Sequence, residues 1–353
     1  MLGGCLAREG LFYESRGEAV KCLTCARECT IREGRRGLCG VRENRGGKLY
    51  LLTYGLISSC YVDPIEKKPL FHFWPGSYAY SIGTVGCNFK CKHCQNWHIS
   101  QRSPEEVPMD SLPPEAAVKG AIGTGCKSIA YTYNEPIITL EYMLDTAKLA
   151  RERGVLNVAV TNGYIRGRSL DAMAEAIDAA NVDVKAFTDR FYKEVCGGAS
   201  LEPVLRCVEE LKRRNVHVEV TYLVIPGWND SREEVREFSR WVVSDVGADT
   251  PVHFSRFFPN YKMLDREPTP IETLLEAKRI AEKEGCQFVY VGNVWSTDLE
   301  STRCPSCGTV VVRRVGYNIA DVKLDESNSC LKCGESIPIV GRVMKSSRWP
   351  FWS

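Results

Sequence analysis

Short apolar runs alternate with amphipathic ones from about residue 78 to residue 294. The runs at 80–85, 128–133, 157–161, 182–186, 216–225, 252–257 and 287–291 read as strands. Between them, 114–124, 140–153, 169–179, 202–214, 231–245 and 270–284 repeat their apolar residues at helical spacing. Start signals precede two of these helices: Ser169 ahead of Leu170-Asp171, and Asp230-Ser231 ahead of two glutamates. Strand–helix alternation with short connections predicts an α/β chain, a parallel sheet with helices outside. Six or so units suit a partial (β/α) barrel, although a flat doubly wound sheet has the same periodicity.

In either fold, chemistry gathers where strands end and helices begin. The distinctive polar stretches fall there: residues 87–94, Tyr133-Asn134-Glu135-Pro136, Thr161-Asn162-Gly163, Asp183-Val184-Lys185 and Pro226-Gly227-Trp228-Asn229-Asp230. The two ends of the chain read differently, with paired cysteines, glycine-rich turns and weak periodicity. The expected division is a four-cysteine module at 1–50, a connecting segment at 51–77 and the barrel at 78–300. A ribbon-like module at 301–341 and an aromatic tail at 342–353, expected to dock on the chain's own surface, complete it.

Composition narrows the function classes. The chain has 353 residues, 44% hydrophobic and 25% charged, with a net charge of +2. These are values of an ordinary globular protein with no general attraction to nucleic acid or membranes. No run of 18 apolar residues is present, and the first ten residues lack the pattern of a signal peptide. A cytoplasmic location is expected.

Seventeen cysteines change the picture, because eleven of them fall into three groups. In a chain with a large α/β body, metal ligation in a reducing compartment explains the grouping better than disulfides. Cys87, Cys91 and Cys94 stand at C-x3-C-x2-C just after a strand. Three thiolates in so tight a loop suit one iron–sulfur cube and leave one iron open to a ligand. Cys304, Cys307, Cys330 and Cys333 form two C-x2-C knuckles, a zinc-ribbon pattern that closes a tetrahedral site. Cys22, Cys25, Cys29 and Cys39 also offer four thiolates, for zinc or for an auxiliary cluster. Cys5, Cys60, Cys126, Cys196, Cys207 and Cys286 are read as small buried hydrophobes.

The C-x3-C-x2-C loop resembles the signature of the radical S-adenosylmethionine (SAM) superfamily. Asp63-Pro64-Ile65-Glu66-Lys67-Lys68, Tyr131-Thr132-Tyr133-Asn134-Glu135-Pro136, Thr161-Asn162-Gly163-Tyr164, Ile225-Pro226-Gly227-Trp228-Asn229-Asp230 and Ser255-Arg256-Phe257-Phe258-Pro259 narrow the resemblance. Together they are similar to the radical SAM enzymes of the AmmeMemoRadiSam system, relatives of pyruvate formate-lyase activating enzymes. The resemblance implies a 4Fe–4S cluster on Cys87, Cys91 and Cys94 whose open iron is chelated by SAM. His93 stands where an aromatic residue lies beside the adenine. Tyr133, Asn134 and Glu135 stand where a Gly-Gly-Glu segment holds the SAM amino group, Asn162 at ribose or carboxylate contacts, and Asp183 and Lys185 at the methionine end.

The implied activity is reductive cleavage of SAM to methionine and a 5′-deoxyadenosyl radical that removes hydrogen from a substrate. Flavodoxin or ferredoxin would supply the electron, and Memo and Ammecr-type proteins would be partners. Activation of a glycyl-radical enzyme is the alternative activity. A non-enzymatic zinc-ribbon adaptor is the alternative class.

Overall fold

The structure is a computed structural model, and it describes residues 7–294 and 298–345. The apolar runs become seven neighbouring strands: Tyr78–Gly83, Ser128–Tyr131, Leu156–Thr161, Ala179–Asp183, His217–Val224, Val252–Arg256 and Val289–Gly292. They pair in parallel, in the order of the chain. A doubly wound sheet reverses its strand order partway across. This sheet does not, and it is therefore not doubly wound. Helices Pro114–Gly123, Leu140–Glu152, Arg168–Ala176, Glu202–Arg213, Arg232–Trp241 and Ile271–Glu284 fall in the successive connections between strands. Ile129, Val182, Val220 and Phe254 are fully buried, as strands covered on both faces require.

An eighth strand, Ser59–Pro64, runs antiparallel along the edge strand Tyr78–Gly83. The periodicity missed it because Tyr61 and Asp63 break the apolar run. The run at 182–186 also needs correction, since the observed strand is Ala179–Asp183. Its first residue, Ala179, falls in the run read as the preceding helix, 169–179, but that helix stops at Ala176. Ser231 caps its helix by accepting from the Glu234 N–H at 3.2 Å. Ser169 does not cap: its hydroxyl donates to the Arg166 and Leu23 carbonyls, and Gly167 precedes the helix.

The N-terminal cysteines sit among two small antiparallel sheets. One is formed by Tyr13–Arg16, Ala19–Cys22 and Thr30–Arg32, the other by Arg8–Glu9, Lys48–Leu51 and Arg42–Arg45. The C-terminal module is a third antiparallel sheet, Thr302–Arg303, Val310–Val315 and Asn318–Val322. Its Val311, Val312 and Ile319 share a core with Phe71, Phe288 and Tyr290, so it is packed onto the barrel. Cys126, Cys196, Cys207 and Cys286 are buried and Cys60 is half-buried, whereas Cys5 lies outside the described residues. Most of the aromatic tail, 346–353, also lies outside them. Just before it, the Met344 N–H donates to the Pro75 carbonyl at 2.7 Å.

Candidate active site at the strand ends

The cysteine loop leaves the strand Tyr78–Gly83 through two glycines that no larger residue could replace. A Cβ on Gly83 would stand 2.7 Å from the Thr132 carbonyl oxygen. Gly86 has φ +83°, and a Cβ there would stand 2.3 Å from the Cys39 carbonyl oxygen. Beyond Gly86, backbone bonds hold the loop: Lys90 N–H to the Cys196 carbonyl at 3.1 Å, and Lys92 N–H to Val195 at 3.0 Å. Phe89 is fully buried against the rings of Tyr164 and Tyr192. Arg27, from the N-terminal module, donates to the carbonyls of Asn88, Cys196 and Gly198. The loop is therefore fixed from both sides before any ligand binds.

Cys87, Cys91 and Cys94 line one cavity of about 560 Å³. That lies within the range of roughly 300–1,000 Å³ common for cofactor sites. The same cavity is lined by His93, Tyr133, Asn134, Glu135, Asn162, Asp183 and Lys185, so every candidate site residue outside the two four-cysteine modules meets there. Burial pushes the Cys87 thiol up, with the Glu135 charge adding to it. Cys91 is raised by a hydrogen bond with Cys196 and by burial. Cys94, raised by burial, lies 3.1 Å from the Ser100 hydroxyl. Cys196 thus does more than fill space, because its thiol stands beside the triad. Its position 102 residues after Cys94 gave no local signal.

Glu135 is the most heavily bonded of the candidates. Its carboxylate accepts from Ile137 N–H (3.1 Å), Thr161 Oγ1 (2.7 Å) and Asn162 N–H (2.7 Å). Burial nevertheless raises it to about 7, against the pull of those donors. The Asn134 amide spans the loop, accepting from Thr84 N–H and donating to the Gly86 carbonyl. Asn162 Nδ2 donates to Asn88 Oδ1 at 2.7 Å, tying a strand end to the cysteine loop.

Tyr133 has φ +70°, a region that favours glycine. Its hydroxyl donates to Asp63 at 2.5 Å, and the Lys68 ammonium sits 4.6 Å from its ring centroid. Tertiary bonds hold a tyrosine where the related pattern has glycine.

Lys185 Nζ donates to Asp183 at 3.0 Å, with only 15% of the lysine side chain exposed. Burial works against its charge, but the Asp183 carboxylate and two nearby thiols hold its pKa well above the usual range. His93 is buried beside Phe191, and burial followed by the Lys185 charge depresses it to about 3. The imidazole is therefore neutral, and its Nδ1 has no hydrogen-bond partner.

Glu66, Lys68, His253, Ser255, Glu300 and Tyr317 line the same cavity, and none of them was an expected site residue. Tyr317 lies between two C-terminal strands, so folding brings it more than 200 residues back toward the cysteine loop. Glu66 and Glu300 are both raised to about 7, chiefly by burial and partly offset by Arg314. Burial lowers Lys68 to about 8 despite its contact with Asp63 at 2.7 Å. Asp63 is held well below the carboxylate range: burial would raise it, but Lys67, Lys68 and Tyr133 outweigh that.

Outside this cavity, Cys304, Cys307, Cys330 and Cys333 have sulfurs all within 4.8 Å of one another. Cys22, Cys25, Cys29 and Cys39 surround a second, smaller cavity on the barrel side of their module. No helix among the described residues is long and apolar enough to cross a membrane.

Comparison with known proteins agrees with this geometry. Residues 81–239 match the model of the radical SAM superfamily. An uncharacterized protein of Methanocaldococcus jannaschii is 47% identical over 335 residues, covering 94% of this chain and 99% of that one. The pyruvate formate-lyase 1-activating enzyme of Escherichia coli K12 is 25% identical, covering 58% of this chain and 89% of its own. A putative glycyl-radical enzyme activating enzyme of M. jannaschii is 26% identical, covering 65% and 84%.

Proposed function

The chain belongs to the radical SAM superfamily, and on that premise we propose that it cleaves SAM reductively and passes the radical to a bound substrate. The observation that carries this is the convergence of Cys87, Cys91 and Cys94 with the polar ring of Glu135, Asn162, Asp183 and Lys185 on one cavity. The residues fit the cofactors: three thiols on one cavity, a buried cation for a carboxylate, and the unpartnered Nδ1 of a neutral histidine. Cys87, Cys91 and Cys94 would hold a 4Fe–4S cluster, which would supply the electron for reductive cleavage of bound SAM.

The side chains have the task of orientation. Lys185, fixed by Asp183, binds the SAM carboxylate. Glu135 pins Thr161 and Asn162 and keeps an acceptor toward the amino group. His93 lies beside the adenine. Tyr133 and Asn134 lock the strand ends that flank the loop. The wall of Glu66, Lys68, His253, Glu300 and Tyr317 faces the substrate, within reach of charged and neutral donors alike.

Memo and Ammecr-type proteins are the proposed partners, with a flavodoxin or ferredoxin as electron donor. The sequence similarity to activating enzymes supports glycyl-radical activation as the alternative activity for the same site. An adaptor role is not retained, because these relatives are enzymes. In the C-terminal module, zinc is proposed. Sulfur separations of 3.5 Å (Cys304 to Cys333) and 3.8 Å (Cys307 to Cys330) suit a tetrahedral ion. With Zn–S near 2.3 Å, sulfurs stand roughly 3.8 Å apart.

The test is anaerobic reconstitution with dithionite and SAM, followed by measurement of 5′-deoxyadenosine. Wild-type chain should form it and Cys87→Ala should not; product from the variant would refute the mechanism.

A further inference from the structure

Cys22, Cys25, Cys29 and Cys39 were compatible with zinc or with a cluster, and their surroundings favour one of the two. All four line a single cavity. Their sulfurs do not converge as the C-terminal set does: among the described residues, Cys304, Cys307, Cys330 and Cys333 are the thiol set gathered within 4.8 Å. A tetrahedral zinc ion holds its sulfurs about 2.3 Å from the centre, so they stand roughly 3.8 Å from one another. A cube of four irons and four sulfides needs a wider cage than a single ion.

The lining supplies what the sulfides of a cluster accept. Thr24 Oγ1 and Asn88 Nδ2 belong to side chains that are 1% exposed, both line this cavity, and neither has a hydrogen-bond partner. Two buried donors without acceptors are costly unless something in the cavity accepts from them. Arg42 also lines it; its guanidinium is paired with Glu141 and also feels the charges of Cys22 and Cys39. A four-thiolate cluster carries net negative charge, which donors and a buried cation stabilise.

We infer that Cys22, Cys25, Cys29 and Cys39 hold a second 4Fe–4S cluster, with Thr24 and Asn88 as donors to its sulfides. Asn88 then stands between the two sites. It lines the N-terminal cavity with its Nδ2 unpartnered, while its Oδ1 accepts from Asn162 and lies 3.8 Å from the Cys87 sulfur.

The inference is independent of SAM cleavage and is tested by metal content. Full-length chain carrying Cys87→Ala, Cys91→Ala and Cys94→Ala together is reconstituted anaerobically with iron, sulfide and zinc. Iron and sulfide at about four each per chain, with absorption near 400 nm, are expected. Unmodified chain should hold about eight irons and one zinc. Zinc replacing iron in the triad variant, giving about two zinc per chain, overturns the inference, and so does an absence of metal at this site. If the triple variant does not fold, the unmodified chain decides: about four irons with about two zinc, or with no second metal, overturns it. Loss of 5′-deoxyadenosine formation in the wild type, with iron retained in the triad variant, would refute the proposed function and leave this inference standing.

Discussion

Among the described residues each terminal module has one buried arginine, Arg42 in the first and Arg314 in the last, and the two meet different partners. Arg42 forms a two-pronged pair with Glu141, donates to the Ile138 carbonyl and so joins the N-terminal sheet to a barrel helix. Arg314 donates instead to neutral oxygens: the Phe71 carbonyl at 2.7 Å, Thr302 Oγ1 at 2.8 Å and the Glu300 carbonyl at 3.1 Å. Its nearest carboxylate atom, on Glu66, is 3.7 Å away. The carboxyl groups respond accordingly. Burial would raise Glu141, but Arg42 outweighs it and holds it below the usual value. At Glu66 burial dominates and Arg314 only partly offsets it. One module is held by an ion pair; the other by hydrogen bonds around a nearly neutral acid.

The largest expected effect breaks the first anchor. Glu141→Gln keeps the shape but leaves the Arg42 charge buried without its partner, a loss of about 3–5 kcal/mol. Glu66→Gln should cost no more than about 1 kcal/mol at pH 5–6, below the Glu66 pKa of about 7, because a mostly neutral acid is replaced by a neutral amide. Urea unfolding of both variants measures the contrast. Equal losses would show that the two anchors are alike.

The second effect concerns how tightly the N-terminal module is joined to the cysteine loop. Gly86→Ala places a methyl group against the Cys39 carbonyl at a backbone angle that favours glycine. The left-handed conformation alone costs roughly 1–2 kcal/mol, and the clash must move either the loop or Cys39. If strain of that size reaches the reacting geometry, 5′-deoxyadenosine formation falls about tenfold. Gly334→Ala in the C-terminal knuckle, where a Cβ meets nothing within 4 Å, should leave that rate unchanged. A Gly86→Ala variant as active as wild type would mean that the first module does not position the loop.

The sequence showed the triad and the parallel strands because both are local. C-x3-C-x2-C is a spacing, and a buried strand is a run of apolar residues. What brings Cys196 to Cys91, or Tyr317 and Glu300 to the cavity of the cysteine loop, is packing between distant segments, which no spacing records. The strand Ala179–Asp183 was misplaced for a related reason: its alanines suit a helix as readily as a close-packed strand. Ser59–Pro64 was missed because an edge strand is apolar on one side only, and Tyr61 is largely exposed. The part that Glu66 and Lys68 play in the cavity was hidden for the same reason, even though both stood in a recognised motif.

The smallest effect separates the anchors by pH. Glu66 has a folded-state pKa of about 7, above its unfolded value near 4.5. Between those values the folded chain binds more protons than the unfolded one, so this group's contribution falls as pH rises from about 4.5 to 7. Glu141 is shifted the other way: its contribution is present above its unfolded value and is lost as pH falls through its lower folded value. Acidification from neutral should thus strengthen the Glu66 contact and, lower still, weaken the Glu141 pair. Hydrogen exchange resolved by segment, over pH 4.5–7 and corrected for intrinsic rates, compares Gly76, whose N–H donates to Glu66, with Leu11, whose N–H donates to Glu141. Protection at Gly76 should fall as pH rises across that range and should lose this dependence in Glu66→Gln. Parallel behaviour at Gly76 and Leu11 would mean that Arg314 holds Glu66 ionised as firmly as Arg42 holds Glu141.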